Sequence, residues 1–284
     1  MEIINRRQRM SSLSRKLRRE NKTVGLVPTM GALHEGHLSL VKEAKQMCDV
    51  VIVSIFVNPA QFNEGDDFKN YPRDLTADAA LLAEYQVDYI FAPDTQEIYG
   101  ENFATYVFVE NLTETLEGAS RPGHFRGVAT VVAIFFNTIR PDYAFFGQKD
   151  AQQVAVIKRL TQDLGFDTEI VVGRIVREES GLALSSRNVR LSQAERIAAA
   201  SIFQGLRAAK IAAREGERSA AKLVEAARRR IEIEPLAQID YVAVVDSETL
   251  MPIDKIGDNP ILVAVAVWFG KTRLIDNTIL NRRQ

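Results

Sequence analysis

The sequence predicts an α/β protein: a doubly wound parallel sheet followed by a second, smaller α+β domain at the carboxyl-terminal end. Three observations carry that prediction. Short branched or aromatic runs alternate with helix-period stretches over about 170 residues, the pattern of a parallel sheet covered on both faces. After about Val176 the order changes to helices followed by strands. The 284 residues are 46% hydrophobic and 26% charged, ordinary globular composition with enough apolar mass for about two domains.

The elements follow in chain order. Arg6 to Arg19 is rich in Arg, Lys and Ser, as a mitochondrial presequence would be. It reads better as an amphipathic helix with Met10, Leu13 and Leu17 on one stripe. A first strand expected at about Thr23 leaves no room for a cleaved leader and linker. Strand character marks Thr23 to Pro28, Val50 to Val57, Val87 to Ala92, Tyr143 to Gly147 and Thr168 to Val172. Helical spacing joins Leu38, Val41, Ala44 and Met47, and more weakly Leu75, Ala79, Leu82 and Gln86. Gly127 to Arg140 and Asp150 to Leu164 are two more expected helices, the first so apolar that it must be buried on most sides. Residues 1–176 are expected to form the first domain and 177–284 the second. In the latter, Ser192-Gln-Ala-Glu195 is a capping box opening a long Ala-rich helix toward Arg214. A helix at about Ser219 to Arg230 and strands near Ile239 to Val245 and Ile261 to Trp268 complete it.

Charge and cysteine content narrow the function. Lys plus Arg number 36 against 37 Asp plus Glu, a net charge of -1 that points to no nucleic-acid or membrane partner. The apolar runs Val128 to Ile139 and Ile261 to Phe269 fall short of the roughly 20 residues that span a bilayer. The single cysteine, Cys48, excludes an intramolecular disulfide framework and a four-cysteine zinc site. A soluble, cytoplasmic protein is expected.

Two of the 3 histidines, His34 and His37, stand in T-M-G-A-L-H-E-G-H, between the strand from Thr23 and the following helix. Glycines permit a tight turn there, and backbone N–H groups at a helix start suit a phosphate. The spacing is not the H-E-x-x-H of a zinc protease, since Leu38 follows His34 by one turn. A metal held by His34, His37 and His124, or a pair of capping histidines, are the alternatives. Gly270-Lys271-Thr272 ends like a Walker loop, but Val265 occupies the place of the required glycine. Phe146-Gly-Gln-Lys149-Asp150 lies at another strand-to-helix junction, where a lysine is electrostatically misplaced unless it has a task. Leu184-Ser-Ser-Arg187-Asn188 supplies hydroxyls and a guanidinium suited to polyphosphate. Gly118 to Arg126 reads as a shaped loop over the site rather than as core. Gln61, after Asn58 at the end of the second expected strand, can hydrogen-bond a small polar substrate. Gln153 lies one turn beyond Lys149.

Five strings stand in order: V-P-T-M-G-A-L-H-E-G-H, S-I-F-V-N-P-x-Q-F, L-E-G-x-x-R-P-G-H-F-R-G-V, F-F-G-Q-K-D-x-Q-Q and G-L-A-L-S-S-R-N. Together they resemble the pantothenate synthetase family, and the resemblance extends to L-I-D-N at Leu274 to Asn277. H-x-G-H alone indicates only the wider nucleotidyltransferase superfamily. The resemblance implies a Rossmann-like fold whose carboxyl-terminal domain closes over the site. It implies an ATP-dependent ligase that condenses (R)-pantoate with β-alanine to pantothenate through a pantoyl adenylate, releasing AMP and pyrophosphate. ATP, arriving with Mg²⁺, would be held by Met30, Gly31, Ala32, Leu33, His34, Glu35, Gly36 and His37, with His37 catalytic. Gly147, Gln148, Lys149, Asp150, Val176, Leu184, Ser185, Ser186 and Arg187 match the other ATP-contacting positions. Gln61 matches a position for pantoate and β-alanine, and Gln153 one for pantoate. A homodimer without a tightly bound organic cofactor is implied, and the metal ligands stay open. Ala151 replaces a more usual aromatic, which touches no proposed role. A phosphate-ester nucleotidyltransferase, a tRNA synthetase and a nucleotide sensor share parts of the pattern but do not need all of it.

Overall fold

The computed structural model describes residues 1–62 and 68–281. The chain divides into two compact units, one of Met1–Gly147 with Val156–Arg174, the other of Gln148–Ala155 with the chain from Ile175 onward.

In the first unit, six parallel strands run in the order β1-β4-β3-β2-β5-β6. They are β1 (Glu2–Ile4), β2 (Val24–Thr29), β3 (Val50–Ile55), β4 (Tyr89–Phe91), β5 (Tyr143–Gly147) and β6 (Glu169–Gly173). The doubly wound sheet expected from the alternating pattern is present. One face packs Val27, Val51, Val53 and Ile90 against Leu38, Val41 and Ala44 of α2 (Glu35–Met47) and Leu82 of α3 (Leu75–Glu84). On the opposite face Phe91 meets Phe135 at 5.6 Å between ring centroids. Phe135 lies on the helix His124–Ile139, nearly all of which is buried. The amino-terminal helix α1 (Arg7–Arg19) packs here too, its Ser14 hydroxyl donating to the Ile139 carbonyl. Met10 and Leu17 are buried as the stripe requires. Successive strand residues thus face opposite helix layers.

The strand from Val24 is the second in the chain, which corrects the expected order. The missed β1 has three residues, of which only Ile4 is buried, too few for a periodic signal. It pairs with β4, Ile4 opposite Phe91. Strand order reverses at β2, which lies between β3 and β5. The carboxyl ends of β2 and β5 therefore open on one edge at the switch point, where doubly wound sheets bind ligands.

The second unit carries a three-stranded antiparallel sheet, β7 (Ala237–Asp246), β8 (Ile261–Phe269) and β9 (Thr272–Leu280). The helices Gln193–Arg214 and Ala220–Ile231 cover it, burying Leu206, Leu223 and Ile231 against Val263, Val265 and Phe269. The capping box forms as read, with Ser192 and Glu195 each bonding the other's backbone. Strand β9 was not legible because its alternation is broken by two buried polar residues, Asp276 and Asn277. Gly270 and Lys271 form the turn between β8 and β9, so the apparent Walker ending is a hairpin. Among the described residues no helix is long and apolar enough to cross a membrane.

Candidate active site

The first unit contributes the turn from Met30 to His37. Two successive residues have left-handed backbones, Gly31 at φ 82° and Ala32 at φ 51°. The Asp78 carboxylate on α3 holds this shape from beneath. It is 4% exposed and accepts the N–H groups of Ala32 at 3.0 Å and Leu33 at 2.9 Å. A Cβ at position 31 would lie 2.8 Å from the same carboxylate, so the turn needs glycine there for space as well as for φ. The Thr29 hydroxyl accepts the Gly31 N–H and donates to the Ser54 carbonyl.

His34 is the N-cap of α2, its Nδ1 accepting the Gly36 N–H at 3.1 Å. That bond leaves the ring proton of the neutral imidazole on Nε2. The His37 ring packs against it, centroids 4.2 Å apart. The His37 N–H donates to the His34 carbonyl. The backbone N–H groups of Gly31, Ala32, Leu33, Gly36 and His37 are therefore committed within the protein. That narrows the backbone donors the turn can present to a phosphate. Anchoring these amides holds the left-handed turn in shape, with the two imidazoles beside it.

Gln61 ends the short helical turn Pro59–Gln61 and is 8% exposed. Its Nε2 approaches the Met30 sulfur at 2.9 Å, and its Oε1 accepts from Asn58 Nδ2 at 3.1 Å. The Asn58 amide also donates to the Gly127 carbonyl, and Asn58 Oδ1 accepts from the Tyr99 hydroxyl. Burial, above all, raises the Tyr99 pKa. His124 is not on a loop over the site. It is 7% exposed in the first turn of its helix, with Nδ1 2.8 Å from the Gln61 carbonyl and Arg121 3.3 Å from Nε2. The carbonyl can only accept, so the proton is on Nδ1, and the ring braces Gln61. At Gly127 a Cβ would fall 2.3 Å from the Ala60 carbonyl oxygen, so only glycine lets this helix approach the turn. A cavity of about 380 Å³ is lined by Met30, Gly31, Ile55, Phe56, Asp78 and other residues of this unit.

Cys48 caps the far end of α2 from His34. Its thiol is pushed up from 9.0 to about 11, first by burial and then by Asp142 and Asp49.

The second unit brings together the other predicted segments. Gln148–Asp150 forms a short helical turn that leads into the helix Ala151–Asp163, with half-buried Gln153 in its first turn. Lys149 Nζ lies 3.8 Å from Asp150 Oδ1. Val176 and Leu184 face each other, the Leu184 N–H donating to the Val176 carbonyl at 3.0 Å. Ser185 caps the short turn Ser186–Arg190 by accepting the Arg187 N–H. Arg177 forks onto Asp276 with contacts of 2.5 and 3.0 Å and also donates to the Gly181 carbonyl. Burial raises the Asp276 pKa against the downward pull of Arg177. Gly147 ends β5 in the first unit. Among the described residues no group of three or more His, Cys, Asp or Glu could hold a metal ion.

Asp78, Asn277 and the Arg177–Asp276 pair were not singled out as site residues from the sequence. Asp78 left a usable signal: it stands one helical turn before buried Leu82, a carboxylate on an apolar face.

Fold and motif together define the class: a parallel α/β protein with an H-x-G-H turn at the carboxyl end of a central strand, beside its topological switch point. The chain belongs to the pantoate-beta-alanine ligase family, whose model matches residues 2–279. It is 51% identical over 280 residues to the pantothenate synthetase of Heliobacterium modesticaldum, covering 99% of both chains. The Thermotoga petrophila pantothenate synthetase is also 51% identical, over 99% of this chain and 100% of the relative. A crystal structure of the Thermus thermophilus pantothenate synthetase superposes with a TM-score of 0.91 at 45% identity, covering 98% of this chain and 99% of that one. The Francisella tularensis pantoate-beta-alanine ligase, complexed with beta-gamma ATP and beta-alanine, gives 0.80 at 35% identity, covering 100% and 98%.

Proposed function

We propose that this protein is a pantothenate synthetase, condensing (R)-pantoate with β-alanine at the expense of ATP and releasing AMP and pyrophosphate. The observation that carries the reading is membership of the pantoate-beta-alanine ligase family over residues 2–279. The beta-gamma ATP and beta-alanine in the Francisella tularensis ligase support the substrate set.

A carboxylate is a poor acyl donor, because its charge repels an approaching amine. The pantoate carboxylate oxygen attacks the α-phosphorus of ATP, and the bond to pyrophosphate breaks. The β-alanine amine then attacks the carbonyl of the pantoyl adenylate, the acyl–oxygen bond to AMP breaks, and the amine loses a proton. The protein's task is to position the reactants and place donors where charge grows on the phosphates. His37 is the proposed catalytic donor of the first unit. Lys149, Ser185, Ser186 and Arg187 are the proposed phosphate contacts of the second, Ser185 also capping their turn. Mg²⁺ would arrive with ATP and neutralise charge on its phosphates. Gln61 is proposed to bind pantoate beside incoming β-alanine, and Gln153 to bind pantoate. The other ATP positions follow the family pattern: Met30 to Gly36, Gly147, Gln148, Asp150, Val176 and Leu184. Closure of a domain comprising 177–284 over a site on 1–176 and a cytoplasmic homodimer complete the proposal.

Mixing the purified protein with ATP, Mg²⁺, pantoate and β-alanine tests it. Stoichiometric AMP and pantothenate by mass are expected, and ADP or no new amide would overturn the reading.

A further inference from the structure

Among the sequence motifs, L-I-D-N at Leu274 to Asn277 has no part in the chemistry above, yet it ends in a buried carboxamide. Asn277 is 3% exposed on β9. Its Nδ2 donates to two successive backbone carbonyls, Gln148 at 2.9 Å and Lys149 at 2.9 Å. Its Oδ1 accepts from Gln148 Nε2 at 3.0 Å. All these residues belong to the second unit.

We propose that Asn277 is a positioning residue for Lys149, its carboxamide fixing the two peptide groups that flank the Lys149 Cα and so setting where the ammonium stands. This rests on the reading that Lys149 contacts ATP. Three hydrogen bonds from one planar group fix both position and orientation, which one bond cannot do. The carboxamide is itself held. The Asn277 N–H donates to Asp276 Oδ1 at 2.7 Å, the Arg177 fork locks Asp276, and Asn277 pairs with Ala264 across the sheet. Lys149 needs such a hold for three reasons. Its turn has only three residues, and a cation at a helix start is repelled by the dipole there. The preceding residue, Gly147, has no side chain to anchor the segment.

The test uses the full-length enzyme and steady-state pyrophosphate release. Asn277→Ala removes all three bonds. Asn277→Asp keeps the shape and the acceptor but loses both donors, so it carries the test if the alanine variant fails to fold. Each is expected to lower kcat/KM for ATP by about 10- to 100-fold, the scale of a misplacement of about 1 Å, with KM for pantoate little changed. Lys149→Ala is expected to cost about 100- to 1,000-fold. Adding Asn277→Ala to Lys149→Ala should then cost little more, because the group being positioned is gone. A purely structural role would give losses that multiply and touch both substrates. Multiplying losses, or wild-type kcat/KM for ATP in the variants, would overturn the proposal. Failure of the wild-type enzyme to release AMP and pyrophosphate would instead overturn the ligase reading on which it rests.

Discussion

The two units hold their polar groups with different chemistry. In the first, two left-handed residues, Gly31 and Ala32, set the turn from Met30 to His34, and one carboxylate, Asp78, anchors the amides of Ala32 and Leu33. In the second, Gln148 to Asp150 and Val176 to Arg187 depend on side chains from a distant strand. Asn277 grips the backbone beside Lys149, and the Asp276–Arg177 fork ties β9 to Gly181, in the reversal between Val176 and Leu184. A backbone-shaped turn tolerates few substitutions within itself. A side-chain-held turn is most sensitive at residues remote in sequence from the groups it presents.

The largest effects should come from the presented groups themselves. His37→Ala and Lys149→Ala are each expected to fold and to lose about 100- to 1,000-fold in turnover, measured as AMP release. Near-wild-type turnover in either would remove that unit from the phosphate chemistry.

Next comes the carboxylate under the first turn. Asp78→Ala leaves two partly buried amides without their acceptor, costing about 1–3 kcal/mol in total, whereas Asp78→Asn retains one acceptor and should cost less. Urea unfolding measures this directly. Equal losses in the two variants would mean that the paired amide bonds are not what matters at Asp78.

A smaller change is expected at Gly127. Its missing Cβ leaves 2.3 Å to the Ala60 oxygen, so Gly127→Ala should cost roughly 1–3 kcal/mol. Because Asn58 is bonded to the Gly127 carbonyl and also to Gln61, KM for pantoate should rise more than KM for ATP. Unchanged pantoate kinetics would separate the packing of this helix from the proposed pantoate contact of Gln61.

The smallest effect concerns the thiol. With its pKa at about 11 instead of 9.0, Cys48 contributes stability that is fully present below 9.0 and lost as pH rises through about 11. At pH 8 alkylation in the folded protein should run about 100-fold slower than in denatured chain, from thiolate fraction alone. Equal rates would show an unperturbed thiol.

Much of this was legible in the sequence, and what was not has definite causes. Branched strands, the amphipathic stripe on α1 and the Ser192–Glu195 capping box write local physics into local spacing, so they read directly. The edge strand Glu2–Ile4 is too short to show a period. Strand β9 hides its alternation behind Asp276 and Asn277, buried for their partners rather than for their hydrophobicity. His34 and His37 were visible by residue type and spacing. The commitment of the turn's amides to Asp78 was not, because it joins residues 46 positions apart. Gln61 stood out as a polar residue at a strand end, but its brace of Asn58, His124 and Gly127 exists only after folding.

Order of reaction tests the proposed ligase chemistry most directly. The enzyme is mixed with ATP, Mg²⁺ and pantoate, without β-alanine, and pyrophosphate is followed in time. The account predicts a burst approaching the concentration of active sites, then a stall while the pantoyl adenylate stays shielded from water, and renewed turnover with AMP release once β-alanine is added. Pyrophosphate that appears only after β-alanine arrives would contradict it.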